Sequence, residues 1–166
     1  MGGTLSTAHR FEIRSALYLL SHLTYFAMKI LIINGANLNL LGQRQPEIYG
    51  SESFEDILGA LRNRYSEHTL DYYQSNIEGE IVDELQRADG RYDGVVLNAG
   101  GYTHTSVVIR DAIASIAVPV VEVHLSSILA REEFRHTSLI APVVVGSIMG
   151  FGGESYRLAI EHFVGR

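Results

Sequence analysis

The sequence places polar side chains directly after an apolar run, where catalytic or binding groups often lie. Val95-Val96-Leu97 predicts a buried strand, which is followed by Asn98 and then by Gly100-Gly101. Paired glycines allow a tight turn and the close approach of a ligand to the backbone. An imidazole at such a corner can donate or accept a proton during a reaction. His104 occupies that corner and is a candidate site residue; the alternative is that its ring only caps a helix or packs.

A carboxylate, a tyrosine and three arginines complete the set of candidate groups. They are Glu122, Tyr49, Arg44, Arg131 and Arg135. This set suits removal of a proton beside a carbonyl group, with a second side chain protonating a departing hydroxyl. The residue types alone support that chemistry only weakly, because buried glutamates and loop tyrosines usually have structural roles.

Composition argues against several other kinds of protein. The chain has 166 residues, a formal charge of −6 and no cysteine. The negative charge argues against nucleic acid and anionic membrane surfaces as partners, and the lack of cysteine excludes disulfides and a cysteine nucleophile. No apolar stretch reaches the roughly 18 residues that span a bilayer. These features are typical of a cytoplasmic protein.

The motifs of common cofactor and nucleophile sites are missing from the sequence. It has no phosphate loop ending in Gly-Lys-Ser/Thr, no dinucleotide fingerprint after the first strand, and no Gly-x-Ser-x-Gly elbow. The spacing of the candidate ligands matches no standard metal site; these are His104, Glu122, His124 and His136. Lys29 is the sole lysine, so any imine mechanism would depend on it. We therefore expect neither a metal nor an organic cofactor.

From Met28 onward, apolar strands alternate with amphipathic helices. Strands are predicted at residues 29–33, 70–74, 95–97, 118–124 and 143–145, with a short charged helix at 130–135. Continuously apolar strands in βα units are typical of a parallel sheet covered on both faces. We expect a flavodoxin-like, doubly wound α/β fold with five strands in the order 2-1-3-4-5. Right-handed crossovers then bring the carboxyl ends of strands 1, 3 and 4 to one crevice.

Residues 1–27 differ from the rest of the chain. They contain apolar residues at helical spacing together with Arg10 and Arg14, while Ser21 and His22 interrupt the apolar run. A poor secretory signal and an organelle-targeting helix are both possible interpretations. We expect instead an N-terminal extension outside the fold, with a single catalytic domain over residues 28–166, because Met28 opens a clean strand.

Four stretches of the chain resemble the motifs of one enzyme family. Residues 33–42, with Arg44, Pro46, Tyr49 and Gly50, resemble the N-terminal signature of the type II 3-dehydroquinate dehydratases. The second, third and fourth motifs of that family are similar to residues 98–106, 122–126 and 130–135. The match runs in order from Met28 to the C-terminus and leaves out residues 1–27.

The resemblance implies a cofactor-free lyase with a flavodoxin-like fold. Members of the family convert 3-dehydroquinate to 3-dehydroshikimate by trans-dehydration through an enolate intermediate. The reaction belongs to the shikimate or quinate pathway, and so to aromatic amino acid biosynthesis. The resemblance also implies self-association of trimers into a homododecamer. The alternative from another class is a flavodoxin-like module that binds a flavin or a small phosphorylated ligand.

Five residues receive chemical roles from the resemblance. Tyr49 would be the base that removes a proton beside the ketone, and Arg44 would favour its phenolate. Asn37 would hold a water that stabilises the enolate. His104 would be the acid that protonates the departing hydroxyl, and Glu122 would orient its ring.

The resemblance assigns a second group of residues to substrate binding. Asn98 and the backbone amides of Leu125 and Ser126 would bind the substrate carboxylate. Arg135 and His104 would contact its hydroxyls.

More peripheral roles follow for two residues. Asp111 would reach the site of a neighbouring subunit, and Arg131 would belong to the electrostatic surroundings of the loop tyrosine. The chain departs from the family pattern at three positions, where Ala36, Gln45 and Ser127 replace the common proline, glutamate and asparagine. None of these changes removes a catalytic group, and Gln45 is expected to affect rates through the charge and mobility of the loop.

Overall fold

The computed structural model describes residues 27–42 and 52–165. In these residues the strands are β1 (Lys29–Asn34), β2 (Thr69–Gln74), β3 (Gly94–Asn98), β4 (Val120–His124) and β5 (Gly146–Met149). The helices are α1 (Phe54–Arg64), α2 (Glu78–Ala88), α3 (Val107–Ser115) and α4 (Glu154–Val164). Short 3₁₀ turns lie at Leu38–Leu40, Gly100–His104, Ile128–Ala130, Glu133–Arg135 and Ala141–Val143.

The strands form one parallel sheet in the order β2-β1-β3-β4-β5, which confirms the predicted fold class and strand order. Asn34 of β1 pairs with Asn98 of β3, and Leu97 of β3 pairs with Glu122 of β4. Parallel strands bring their carboxyl ends to one edge of a sheet. The register therefore sets the polar residues of three strands side by side.

Helices cover both faces of the sheet because successive side chains of each strand point to opposite faces. Ile30 and Ile32 of β1 belong to the apolar cluster that also contains buried residues of α1 and α4. Leu31 and Ile33 belong to the other cluster, with buried residues of α2 and α3. Full burial of such a side chain contributes roughly 1.5–3 kcal/mol relative to exposure. The continuous apolar run of β1 thus stabilises both layers at once.

Two helices begin at serines that act as N-caps. The Ser106 Oγ accepts a 2.9 Å hydrogen bond from the backbone N–H of Ile109 at the start of α3. At α1, Ser53 and Asp56 form a reciprocal capping box. The N-cap of α3 therefore lies two residues after His104, which fixes where the preceding 3₁₀ turn must end.

The predicted fifth strand at residues 143–145 is wrong by about three positions. Strand β5 starts at Gly146, which pairs with Val121 of β4. Pro142 lies in the 3₁₀ turn that precedes this strand, where its lack of an N–H is tolerated. Val143 and Val144 pack against the apolar cluster on the α2 and α3 side of the sheet. Val143 and Val144 therefore cover the core as a connection before the sheet edge begins, whereas Val145 is exposed.

The segment predicted as a charged helix at residues 130–135 forms two 3₁₀ turns instead. Arg131 and Glu132 between them have extended backbone angles. A continuous helix would need helical angles at both residues. Instead, these two extended residues separate one 3₁₀ turn from the other in the segment after β4.

Two parts of the prediction lie outside the described residues. They are the loop that carries Arg44 and Tyr49, and residues 1–26 of the predicted extension. Over residues 27–42 and 52–165, no helix is both long and apolar enough to cross a membrane.

Candidate active site

A cavity of about 250 Å³ opens at the carboxyl ends of β1, β3 and β4. Its wall combines amides, imidazoles and guanidinium groups with a few apolar side chains. The polar residues that line the cavity are Asn37, Asn98, His104, His124, Ser126, Arg131 and Arg135. Its apolar wall includes Leu38, Leu40, Leu41, Leu125 and Ile128.

Two glycines allow the segments after β1 and β3 to approach each other at the cavity. A Cβ on Gly35 would lie 2.4 Å from the carbonyl oxygen of Ala99, and a Cβ on Gly100 would lie 2.8 Å from that of Ala36. Gly100 also has a positive φ of 62°, which is costly for residues with a side chain. The Gly35 N–H donates a 2.7 Å hydrogen bond to the carbonyl of Asn98. The close approach of these two segments thus forms one wall of the cavity.

Asn37 has a left-handed backbone, with φ of 69°. Its N–H donates a 2.8 Å hydrogen bond to Oδ1 of Asn76, which follows β2. Asparagine tolerates this conformation better than most residues with a side chain. The unusual backbone places Asn37 in the wall of the cavity, beside the 3₁₀ turn that continues from it.

Asn98 ends β3 and is 3% exposed, with its amide held on both sides. The backbone N–H of Gly100 donates to its Oδ1 over 3.2 Å, and its Nδ2 donates to the hydroxyl of Tyr156 over 2.9 Å. A backbone N–H only donates, so this contact identifies the oxygen of the amide. The orientation of the Asn98 amide is therefore defined by its neighbours.

His104 lies at the end of the 3₁₀ turn after β3, and its ring lines the cavity. Its Nδ1 donates a 2.8 Å hydrogen bond to the backbone carbonyl of Thr137. Because a carbonyl only accepts, Nδ1 carries a hydrogen, and in the neutral ring Nε2 is then an acceptor. The ring stacks on that of His124, with 6.5 Å between the ring centroids.

The structure pairs Glu122 with His124, which corrects the expectation that Glu122 orients His104. Nε2 of His124 lies 2.8 Å from Oε1 of Glu122, while Nδ1 of His104 is held by the Thr137 carbonyl. Residues two apart on a strand share a face of the sheet. Glu122 and His124 satisfy that spacing on β4, whereas His104 belongs to the segment after β3.

Glu122 is fully buried and is a carboxylate at neutral pH. Burial raises its pKa, but hydrogen bonds from His124, Ser147 and Ser138 more than offset this effect and leave the pKa below its ordinary value. Ser138 donates to Oε1 over 2.7 Å and Ser147 donates to Oε2 over 2.5 Å. An ionised carboxylate only accepts hydrogen bonds, so Nε2 of His124 carries a hydrogen.

Two arginines face the cavity from the segment after β4. Arg131 donates to the Ser126 hydroxyl over 3.3 Å, and Arg135 forms a 2.9 Å ion pair with Glu132. A hydrogen bond with its own backbone and the charges of both arginines lower the pKa of Glu132. Both guanidinium groups belong to the cavity wall, where each can donate charge-assisted hydrogen bonds. This arrangement suits a small anionic ligand.

The glycine-rich segment at residues 150–153 braces the end of β4. The N–H of Gly150 donates to the carbonyl of His124 over 3.2 Å, and that of Gly152 donates to the carbonyl of Leu125 over 2.8 Å. Both glycines have a positive φ. The glycines at residues 150 and 152 therefore hold the backbone that leads from His124 to the predicted carboxylate-binding amides.

The structure brings most of the predicted site residues to this one cavity. Those that line it are Asn37, Asn98, His104, Leu125, Ser126, Arg131 and Arg135, and Glu122 lies behind His124. Asp111 does not line it, because its side chain is exposed on α3 next to Arg110. Arg44 and Tyr49 lie outside the described residues.

His124 is the functional candidate that sequence reasoning did not assign to the site. The sequence contains the feature that indicates this role, because an imidazole two residues after Glu122 on a predicted strand lies on the same face of the sheet as that carboxylate. Among residues 27–42 and 52–165, no group of three or more histidines and carboxylates is arranged to hold a metal ion.

Comparisons with known proteins agree in sequence and in fold. The chain is 50% identical over 139 residues to the 3-dehydroquinate dehydratase of Prochlorococcus marinus (strain NATL1A), covering 82% of this chain and 96% of that protein. It is 52% identical over 137 residues to the 3-dehydroquinate dehydratase of Acaryochloris marina (strain MBIC 11017), covering 81% of this chain and 92% of that protein.

Solved structures of type II dehydroquinases have the same fold. The enzyme from Butyrivibrio crossotus DSM 2876 superposes with a TM-score of 0.79 at 45% identity, over 82% of this chain and 97% of that one. The enzyme from Propionibacterium acnes gives a TM-score of 0.81 at 33% identity, over 86% of this chain and 100% of that one. Residues 28–164 also match the family model described as dehydroquinase class II. The chain therefore belongs to the class II dehydroquinase family.

Proposed function

We propose that this chain is a lyase that dehydrates 3-dehydroquinate to 3-dehydroshikimate in the shikimate pathway. The observation that carries the proposal is the Glu122–His124 pair, which places a hydrogen-bonded imidazole in the wall of a cavity suited to an anion. The names of the relatives identify the substrate, since proteins about 50% identical to this chain are 3-dehydroquinate dehydratases.

The substrate carboxylate binds where Asn98 and the segment after β4 meet in the cavity wall. Asn98 contributes its side-chain amide there, and Leu125 and Ser126 contribute backbone N–H groups. Hydrogen bonds to an ionised group are stronger than neutral ones. Arg135 and His104 then contact the hydroxyls of the ring, and Arg131 adds positive charge beside them.

His124 is the acid that protonates the departing hydroxyl in this proposal, in place of His104. The buried Glu122 carboxylate accepts from Nε2 of His124, which leaves Nδ1 as the nitrogen available to carry and deliver a proton. Within residues 27–42 and 52–165, Nδ1 of His104 donates to the neutral carbonyl of Thr137, and no carboxylate forms an ion pair with its ring. A positive charge on the ring of His124 is therefore balanced by Glu122, whereas one on His104 has no carboxylate partner among these described residues.

Tyr49 remains the proposed base, with Arg44 as the cation that activates it. A free tyrosine has a pKa of about 10, so a neighbouring cation is needed for a useful fraction of phenolate at neutral pH. Asn37 would hold the water that stabilises the enolate, a role supported by its position in the cavity wall. The enolate route needs no metal or organic cofactor.

The test is the absorbance of the conjugated enone that dehydration creates. The purified full chain, treated with a chelator, is mixed with 3-dehydroquinate and followed near the enone band. We expect the absorbance to rise without additives, and Tyr49→Phe to slow the rise by about 10²–10⁴, the usual contribution of a general base. No rise with the wild-type chain would contradict the proposed function, and unchanged turnover by Tyr49→Phe would remove Tyr49 from the base role.

We also propose self-association into trimers and a homododecamer in the cytoplasm. Helix α3 supports assembly, because Val107, Val108 and Asp111 are exposed together at helical spacing on its surface. In this assembly the Asp111 carboxylate on that face would enter the site of a neighbouring copy. Light scattering should give a mass near twelve times the 18.4 kDa of the chain. A monomeric mass would contradict the assembly.

A further inference from the structure

Three buried polar side chains form a hydrogen-bonded series beneath the cavity. Nδ2 of Asn98 donates to the hydroxyl of Tyr156 over 2.9 Å, and that hydroxyl donates to Oδ1 of Asn34 over 2.7 Å. Asn98 ends β3, Asn34 ends β1, and Tyr156 belongs to α4. Tyr156 and Asn34 are both 0% exposed, so no solvent competes for these bonds.

The direction of every hydrogen bond in the series follows from one backbone group. The N–H of Gly100 can only donate, so the Asn98 atom that receives it is the oxygen. The other amide atom, Nδ2, must then donate to Tyr156. The single hydrogen of the tyrosine hydroxyl is thereby left for Asn34, which accepts it through Oδ1.

The series leaves Asn98 with one committed amide hydrogen and one spare. Nδ2 has two hydrogens, and Tyr156 takes one of them. Asn98 is also part of the cavity wall, so the second hydrogen is available to a bound ligand. Because Tyr156 accepts a hydrogen bond from Nδ2, the Asn98 amide presents its second N–H, and not its oxygen, to a bound ligand.

We propose that Tyr156 is a positioning residue that orients the Asn98 amide toward the carboxylate of the substrate. The inference rests on the proposed function, in which Asn98 binds that carboxylate. Tyr156 does not line the cavity and acts only through Asn98. Its contribution is to affinity, because an oriented amide contacts the carboxylate equally before and during the reaction.

The direct test is the steady-state kinetics of Tyr156→Phe. The ring stays and only the hydroxyl is lost, so the Asn98 amide loses its acceptor. We expect KM for 3-dehydroquinate to rise roughly tenfold, the size of one hydrogen bond to a charged group, with kcat changed less than twofold. Tyr65→Phe is the matched control, because Tyr65 is buried in the same apolar cluster and donates to Glu161 over 2.6 Å, away from the cavity. That control should leave KM unchanged.

A double-mutant cycle separates positioning from a general structural effect. In an Asn98→Ala background, Tyr156→Phe should leave kcat/KM unchanged, because no amide remains to be oriented. If Tyr156→Phe does not fold, Asn34→Ala is the second variant; it removes the acceptor of the tyrosine hydrogen and should raise KM several-fold. An unchanged KM in the single variants, or an equal loss with and without Asn98, would overturn the inference. A wild-type chain that does not dehydrate the substrate would instead overturn the proposed function.

Discussion

His124 and Glu122 lie two residues apart on β4, and their side chains form a 2.8 Å hydrogen bond between Nε2 and Oε1. Glu122 is fully buried, while His124 reaches the cavity wall. Ser138 and Ser147 donate to the same carboxylate from outside β4. The pair thus joins a buried, hydrogen-bonded negative charge to an imidazole that lines the cavity.

The two histidines of the cavity should differ in the kinetic parameter that they control. His124→Asn should lower kcat by about 10²–10⁴, because a general acid contributes that much to a rate. His104→Asn should raise KM more than it lowers kcat, because in the proposed mechanism His104 contacts hydroxyls of the bound substrate. Steady-state kinetics of both variants, with circular dichroism as the folding control, checks the assignment. The reverse ranking would return the acid role to His104.

The carboxylate of Glu122 should make stability depend on pH in acid. Its folded pKa lies below the ordinary value of 4.5, so its contribution to stability is complete above that value and is lost as pH falls through the folded pKa. Ser147→Ala removes one of its donors and should lower the free energy of unfolding at pH 7 by roughly 1.5–3 kcal/mol, the contribution of a hydrogen bond to a charged group. This deficit should shrink toward pH 3.

Urea unfolding at a series of pH values measures that deficit. Ser115→Ala is the control, since Ser115 donates to the neutral carbonyl of Ala112 on α3 over 2.8 Å. Its deficit should not vary with pH. A Ser147→Ala deficit that is constant between pH 3 and 7 would show that the serine stabilises the fold without acting on the Glu122 carboxylate.

Lys29 should take no part in the reaction. It begins β1 at the edge of the sheet opposite the cavity, where its Nζ lies 3.6 Å from Asp71 and above the ring of Tyr92. An imine mechanism needs a lysine at the substrate carbonyl. Borohydride with substrate should therefore leave activity and mass unchanged, and Lys29→Arg should turn over normally. A substrate-sized mass increase on Lys29, measured by mass spectrometry, would overturn the enolate route.

A chain that begins at Met28 should fold, assemble and turn over like the full chain. The family match covers residues 28–164, and β1 starts at Lys29. No strand of the described sheet uses residues from the extension. Light scattering, thermal unfolding and the enone assay compare the two chains. A large loss of assembly or turnover would place residues 1–27 within the functional structure.

The sequence by itself determined the architecture of the chain and much of the site. Apolar strands alternating with helices predicted the parallel sheet, and right-handed crossovers then limited the strand order. Thr105 and Ser106 both precede an apolar run at helical spacing, and of these two Ser106 caps α3, because its side-chain oxygen meets a free N–H of the first turn. These predictions succeeded because each depends on residues that are near in sequence or on a general rule of chain topology.

Tertiary structure alone decided which side chains pair at the site. Glu122 and His124 were both visible in the sequence, but the choice between His104 and His124 depended on the position of the Thr137 carbonyl, 33 residues after His104. Tyr156 meets Asn98 across 58 residues of sequence, and no periodic pattern reports such a contact. The start of β5 was likewise decided by its register with β4, since a valine run packs equally well as a strand or as a connection over the core. Long-range hydrogen bonds and register arise only when separate elements pack, and so they leave little trace in local sequence.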